Sequence, residues 1–313
     1  MEQKNLLLAI VLSVVIMLGW QFYLSETDPK PPPGQPDQTS LSKKSPNNNR
    51  LESPSIPSSA DPTVLLPSIS SDQPRIAPET LKAQALDSTP RIKIVSPRTT
   101  GSISLTGALF DDLTLTDYKE TLEAGSNNIT LLSPLSADKP YYAYFGWIAE
   151  DNTETPPKGA VWSADKTKLT PETPVTLTWK NNSGVIFQQI ISLDNNYMFA
   201  VKQRVTNNST KPIKLFPFGQ IVRHGTPETL GFYILHEGLL GVFNGILKEV
   251  DYDDLQESKS KNLTVDKSIG GWIGITDKYW LTALIPNQKQ PIQPRFAGFS
   301  DSGKTDVNNY LAD

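Results

Sequence analysis

Val175-Thr176-Leu177-Thr178-Trp179-Lys180 sets apolar side chains at every second position, then runs into Asn181-Asn182-Ser183-Gly184 and on to Val185-Ile186-Phe187-Gln188-Gln189-Ile190-Ile191-Ser192-Leu193. Successive side chains of a strand point to opposite faces, so a period of two describes a strand with one buried face. The polar quartet between the two runs is turn chemistry, and the pair reads as a hairpin. A second turn at Asp194-Asn195-Asn196 leads into residues 197–207. There Phe199, Val201 and Val205 share one face while Ala200, Lys202 and Arg204 share the other. One face is buried and the other is wet.

Working outward, the same short segments recur between Gly, Pro, Asn and Asp. Before the hairpin they cover residues 91–95, 101–105, 108–116 and 141–148; after it they cover 213–223, 231–235, 238–243, 247–252, 270–276 and 279–285. Helix-length amphipathic patterns are absent from this part of the chain. Roughly 220 residues of antiparallel strands exceed one immunoglobulin-sized sandwich, and no period repeats, so the expected fold of residues 90–313 is all-β, one large two-sheet sandwich.

Residues 25–89 have a different composition, rich in Pro, Ser, Asn, Gln and Asp, with Pro31, Pro32 and Pro33 in a row. Too few apolar side chains are present to offset an ordering cost of roughly 1 to 2 kcal/mol per residue, so the stretch reads as a disordered spacer. A short helix at residues 78–86, with a weak apolar face, is expected at its end.

Ahead of the spacer, residues 6–24 carry no charge and are almost wholly apolar. As a helix they would reach roughly 28 Å, close to the hydrocarbon thickness of a bilayer. A cleaved signal peptide would close on small residues, whereas this run closes on Gly19-Trp20-Gln21-Phe22-Tyr23-Leu24. Trp20 and Tyr23 read as membrane-interface anchors of a retained span. Lys4 precedes the span, and Glu26 and Asp28 follow it, which places residues 1–5 in the cytoplasm and the remainder outside.

The 313 residues include no cysteine and carry a formal net charge of -4. A disulfide framework, a thiolate metal site and a cysteine nucleophile are excluded. A sequence pI near 5.4 and the lack of a Lys/Arg cluster speak against nucleic acid as a partner. His224 and His236 are the only histidines, and Glu237 adjoins the second. An acid–base pair acting on a sugar would need a histidine and a carboxylate converging on one ligand; adjacent strand positions diverge, so no catalytic residue is assigned. The scattered carboxylates have no ligand-like spacing, and neither a metal nor another cofactor is expected.

Four further features have structural readings. Asp251, Asp253, Asp254 and Glu257 form an acidic group that reads as a solvated loop, with a docking patch as the alternative. Trp147, Trp162, Trp179, Trp272 and Trp280 read as core, with a carbohydrate cleft as the alternative. Gly241 and Gly245 form a GxxxG outside any apolar span, where it has no pairing role. Gly270-Gly271 reads as a tight bend before a strand, since no helix or Lys-Ser/Thr follows.

An ordered series of motifs resembles a known family. Arg91-Ile92-Lys93-Ile94, Gly101-Ser102-Ile103-Ser104-Leu105-Thr106-Gly107-Ala108 and Phe110-Asp111-Asp112-Leu113 open it, and Tyr141-Tyr142-Ala143, Phe145-Gly146-Trp147, Phe218-Gly219-Gln220, His236-Glu237-Gly238 and Gly270-Gly271-Trp272-Ile273 follow. This series, with the run ending in Gly19-Trp20-Gln21-Phe22-Tyr23, is similar to the first transmembrane segment and large periplasmic domain of the YidC membrane protein insertases, in their alphaproteobacterial form. The resemblance implies a β-supersandwich shaped like galactose mutarotases, held in the periplasm of the bacterial inner membrane. It implies assistance to the insertion and folding of nascent inner-membrane proteins, alone or with the Sec translocon, SecYEG, and its accessory components SecD and SecF.

In that family the inserting part is a bundle of five further transmembrane helices, which are absent from these 313 residues. Members also continue with more strands beyond Tyr279-Trp280-Leu281-Thr282-Ala283-Leu284-Ile285-Pro286, of which Asn308-Asn309-Tyr310-Leu311 would begin one. The resemblance therefore implies a fragment whose sandwich is incomplete at its end and exposes open edges. The alternatives are a membrane-tethered periplasmic partner-binding module without insertase activity, and a carbohydrate-binding or mutarotase-like domain.

Overall fold

The computed structural model describes residues 78–229, 235–258, 261–300 and 308–313. The expected span, the anchors Trp20 and Tyr23, and the spacer up to residue 77 lie outside the described residues. So does most of the expected strand at 231–235. Among the described residues no helix is long and apolar enough to cross a membrane.

The chain enters through helix α1 (Pro78–Ser88) and continues in strands β1 (Arg91–Val95), β2 (Thr99–Ser104), β3 (Leu109–Lys119), β4 (Asn128–Leu132), β5 (Tyr141–Ala149), β6 (Ser163–Ala164), β7 (Lys168–Leu169), β8 (Val175–Lys180), β9 (Val185–Leu193), β10 (Phe199–Asn207), β11 (Leu215–His224), β12 (Gly238–Phe243) and β13 (Ile246–Asp251). Helix α2 (Tyr252–Glu257) interrupts before β14 (Asn262–Thr264), β15 (Ser268–Ile269), β16 (Trp272–Thr276), β17 (Leu281–Leu284), β18 (Pro291–Ile292), β19 (Arg295–Phe299) and β20 (Asn309–Ala312). The described domain is all-β apart from these two helices.

The hairpin expected over residues 175–193 forms. Val175, Leu177, Val185, Phe187, Ile191 and Leu193 are buried. The β8–β9 turn is held by Asn181, whose Oδ1 accepts from the amides of Ser183 at 3.0 Å and Val185 at 2.8 Å, while Gly184 takes the left-handed conformation. At the next turn the Asp194 carboxylate does the same for the amides of Asn196 and Met198. Gln189 is the polar exception on the inward face. Fully buried, it donates to the Phe145 carbonyl at 2.9 Å, which ties the hairpin to β5 beneath it.

The expectation of two sheets needs correction. A ten-stranded sheet runs β14-β19-β20-β11-β5-β3-β2-β1-β7, with β4 on β3. Two four-stranded sheets, β10-β9-β8-β6 and β13-β12-β16-β17, share a core with one face of it, and β15-β18 is a small pair. The first four-stranded sheet meets the large one where Phe187 abuts Trp147 and Phe199 abuts Phe110; the second meets it where Phe243 abuts Phe296. The second layer is divided because β11, which lies between its two contributing segments in the chain, belongs to the large sheet. That is a matter of long-range pairing and leaves no trace in local periodicity.

The other face of the large sheet carries a smaller cluster, Tyr142, Val222, Ala297 and Leu311. Strand β20 is an interior strand, bonded to β11 on one side and β19 on the other. Gly270 and Gly271 make the expected bend, both at positive φ, and a Cβ on Gly271 would lie 2.0 Å from the Val242 carbonyl oxygen. Gly241 sits in β12 and Gly245 in the β12–β13 turn, outside any helix.

Candidate interaction surface

The structure separates the two histidines. His224 ends β11 on the outer face of the large sheet, stacked on Tyr142 at 6.0 Å and edge-on to Phe299 at 5.6 Å. His236 lies just before β12, in the layer that covers the opposite face, with Nδ1 3.2 Å from the Asp251 carboxylate and Nε2 3.0 Å from the Leu239 carbonyl. Both ring nitrogens are engaged within the fold. A general acid or base needs a ring nitrogen that can exchange a proton with a substrate, and both nitrogens of His236 face partners within the fold. Glu237 is engaged as well. Among the described residues no three His, Asp or Glu side chains gather as a metal site.

The acidic group is not a loop. Asp251 precedes α2, its amide donating to the Asp254 carboxylate at 3.3 Å, while Tyr252 and Leu255 insert into the core. Asp253, Asp254 and Glu257 are left on the solvent side of that helix. The sequence reading missed it because a helix of six residues is too short to reveal a 3.6-residue period.

The tryptophans divide. Trp147 and Trp162 stack in the core, and Trp179 packs on Phe187 at its margin. Trp272 and Trp280 do not join them. In the sheet β13-β12-β16-β17 the pairs Leu239↔Val250 and Leu239↔Ile275 point inward, so the alternate positions point away from the large sheet. Those alternate positions are apolar almost throughout: Leu240 and Val242 on β12, Leu247 on β13, Trp272 on β16, Leu281 and Ala283 on β17 and, just beyond it, Ile285. Leu247 is 53% exposed and Ile285 57% exposed. A sheet with one solvated face ordinarily sets polar side chains there, and Glu249 and Asp251 on β13 are the charged residues among these positions. The signal was present in the sequence as runs apolar on both alternations, but runs of that kind equally describe a strand buried on both faces.

The apolar face continues into an aromatic corner. Trp280 meets Tyr118 edge-on at 4.8 Å, and Tyr118 lies 6.4 Å from Tyr197. The Arg98 guanidinium sits 5.8 Å over the Tyr197 ring, and Asp117 accepts from the Tyr197 hydroxyl at 3.1 Å. Next to it Tyr279, 71% exposed, carries the Lys278 ammonium 4.7 Å from its ring centroid. Aromatic rings with polar tips, set beside cations and aliphatic side chains, make a surface suited to binding by burial rather than to bond chemistry.

The profile of the YidC periplasmic domain matches residues 91–312, from the first residue of β1 to the last of β20. The chain belongs to the YidC periplasmic-domain family. Among curated relatives, the membrane protein insertase YidC of Granulibacter bethesdensis is 39% identical over 97% of this chain and 50% of its own length. The proteins of the same name from Bradyrhizobium diazoefficiens and Nitrobacter hamburgensis are 38% and 39% identical over 100% of this chain, and 50% and 49% of their own lengths. The chain thus spans about half the length of the curated YidC relatives it matches. Those relatives come from alphaproteobacteria, as the resemblance implied. The YidC motifs fall on strands: Tyr141-Tyr142-Ala143 on β5, Phe218-Gly219-Gln220 on β11 and Gly270-Gly271-Trp272-Ile273 at the entry to β16.

Proposed function

We propose that this chain is the membrane-anchored periplasmic portion of a membrane protein insertase of the bacterial inner membrane, acting as a non-catalytic accessory to the insertion and folding of nascent inner-membrane proteins. The observation that carries the reading is the match of residues 91–312 to the YidC periplasmic domain, in a chain whose similarity to proteins named insertase runs over nearly its whole length. In this reading residues 6–24 span the bilayer with residues 1–5 in the cytoplasm, Trp20 and Tyr23 sit at the far interface, and residues 25–89 are the spacer. The ten-stranded sheet under two smaller ones is read as a supersandwich similar to galactose mutarotases, without their chemistry. SecYEG, SecD and SecF are the proposed neighbours, and the aromatic corner around Trp280 is suited to such contacts. Taken alone, the chain is a tethered binding module, a role its apolar outer sheet face favours.

Because the chain has no cysteine, its orientation can be read from single introduced thiols. Lys4→Cys should resist a membrane-impermeant maleimide applied from the periplasmic side, and Ser25→Cys should react; the reverse pattern overturns the topology. A chimera carrying this chain in place of the matching half of the Granulibacter insertase should insert a small inner-membrane substrate. Failure of a stable, correctly oriented chimera to do so would reject the accessory role.

A further inference from the structure

The second layer is divided at two strand edges. β10 ends the sheet β10-β9-β8-β6 and β17 ends the sheet β13-β12-β16-β17, and among the described residues neither pairs with a further strand. Both lie over the β5–β11 pair of the large sheet. Gln203 on β10 donates to the Gly146 carbonyl of β5 at 2.7 Å, and one register position along, a Cβ added to Gly219 of β11 would meet Leu284 of β17 at 3.4 Å. Between the edges the floor shows through. Pro217 points to the same side as Trp147, the residue it pairs with, yet Pro217 is exposed while Trp147 is buried, and Phe145 and Gly219 are half-buried. A trough floored by Phe145, Gly219 and Pro217 therefore runs beside β10.

The edge of β10 specifies what can lie there. The Asp194 amide donates to the Met198 carbonyl at 3.0 Å, which fixes the alternation of the β9–β10 ladder. Ala200, Lys202, Arg204 and Thr206 bond to β9, and Phe199, Val201, Gln203, Val205 and Asn207 direct their N–H and C=O groups away from it. A row of donors and acceptors at strand spacing is matched by another extended backbone. The side chains set the sequence of that backbone. A strand in register with β10 places alternate residues about 5 Å from Lys202 and Arg204, which are exposed, and the others beside Val201, Gln203 and Val205 on the trough side. A second copy of this chain fits badly. Antiparallel pairing of two β10 strands over their full length sets Phe199 against Asn207 and hence Lys202 against Arg204, with like charges directly opposite.

We propose that β10 is a docking edge for an extended segment of a partner protein in which acidic and apolar residues alternate. The acidic side chains face Lys202 and Arg204, and the apolar ones lie toward Phe145 and Pro217. The added strand extends the sheet β10-β9-β8-β6 toward β17. The site rests on the fold of the domain, independently of the insertase reading.

Fluorescence anisotropy on the full chain in detergent tests this, with a labelled peptide as long as β10 that alternates valine and glutamate, and a second that carries lysine in place of glutamate. The glutamate peptide should bind saturably and at least about fivefold more tightly than the lysine peptide. Lys202→Glu with Arg204→Glu, which changes two exposed side chains, should invert that order. Val205→Pro removes one outward N–H and leaves the bonds to β9 in place, so it should weaken binding of the glutamate peptide at least about tenfold while thermal unfolding stays cooperative. Absence of saturable binding overturns the proposal, and so does binding of the glutamate peptide that survives either variant. If Val205→Pro does not fold, the charge reversal decides alone. A dimer of the full chain that Val205→Pro dissolves also overturns the proposal and identifies a second copy as the occupant.

Discussion

A single nitrogen of Arg223, Nη1, sits 2.7 and 2.8 Å from the two carboxylate oxygens of Asp277, which joins the ten-stranded sheet to the β16–β17 turn of the sheet above it. The same guanidinium lies 4.9 Å from the centroid of the Tyr141 ring. Breaking a mostly buried pair leaves one charge without its counterpart, so Arg223→Met should cost about 2 to 3 kcal/mol. Arg223→Met combined with Asp277→Leu should cost less than Arg223→Met alone. Urea unfolding of the two variants checks this; equal losses would mean that the charge pairing is not what matters there.

Tyr141 is pushed up to about 12 by its burial, which outweighs the nearby Arg223 cation, and burial raises Tyr142, Tyr144 and Tyr252 further still. A phenol whose folded value is raised contributes stability that is fully present below its unfolded value near 10, and that stability is lost as pH rises toward the folded value. Stability should therefore fall between about pH 10 and 12, by up to about 1.4 kcal/mol per pH unit for each such tyrosine. Urea midpoints at pH 8, 10 and 11 should decline more steeply for the native chain than for Tyr141→Phe, and parallel declines would contradict the assignment.

At Gly271 the positive φ of 98° and the approach of the Val242 carbonyl act together. Gly271→Ala should destabilise the domain by about 3 kcal/mol or more, because both the backbone and the β12 neighbour must move. Thermal unfolding measures it, with Gly245→Ala as a control. Gly245 also has positive φ, but an added Cβ there meets nothing within 4 Å, so the loss should be smaller, near 1 kcal/mol.

The two sides of the second layer should respond oppositely to truncation. Phe187, fully buried between Trp147 and Trp179, should cost about 3 to 5 kcal/mol as Phe187→Ala. Leu247→Ser with Ile285→Ser should change stability by no more than about 1 kcal/mol in detergent-free solution, because both side chains are already largely in water. A large loss from the double variant would show that the outer face is packed in the folded state.

Legibility in the sequence followed element length. Strands β1, β9 and β12 have the residue ranges read from the sequence, and β3, β5, β8, β10, β11 and β13 differ only near their ends, because five or more residues of alternation are enough to reveal a period of two. The two-residue strands β6, β7, β15 and β18 have no period to show, and β4 and β19 are not read as strands from the sequence. Arg295-Phe296-Ala297-Gly298-Phe299 follows a run of Pro and Gln that reads as loop, and it becomes a strand because β14 and β20 flank it. The interaction surface was the least legible part. Trp147 and Trp272 look alike in sequence, and only the sheet to which each strand belongs puts one in the core and the other outside.

By itself the sequence determined the all-β class, the hairpin around Asn181, the bend at Gly270-Gly271 and the family, because alternation, turn chemistry and ordered motifs are local properties of the chain. The tertiary structure decided that the second layer is two sheets, that both nitrogens of His236 are engaged, that the acidic group is a helix, and that one sheet presents an apolar face outward. The division of the second layer and the face each strand presents depend on pairing between strands far apart in the chain, among which local preference does not select, whereas the helix is too short for its period to show.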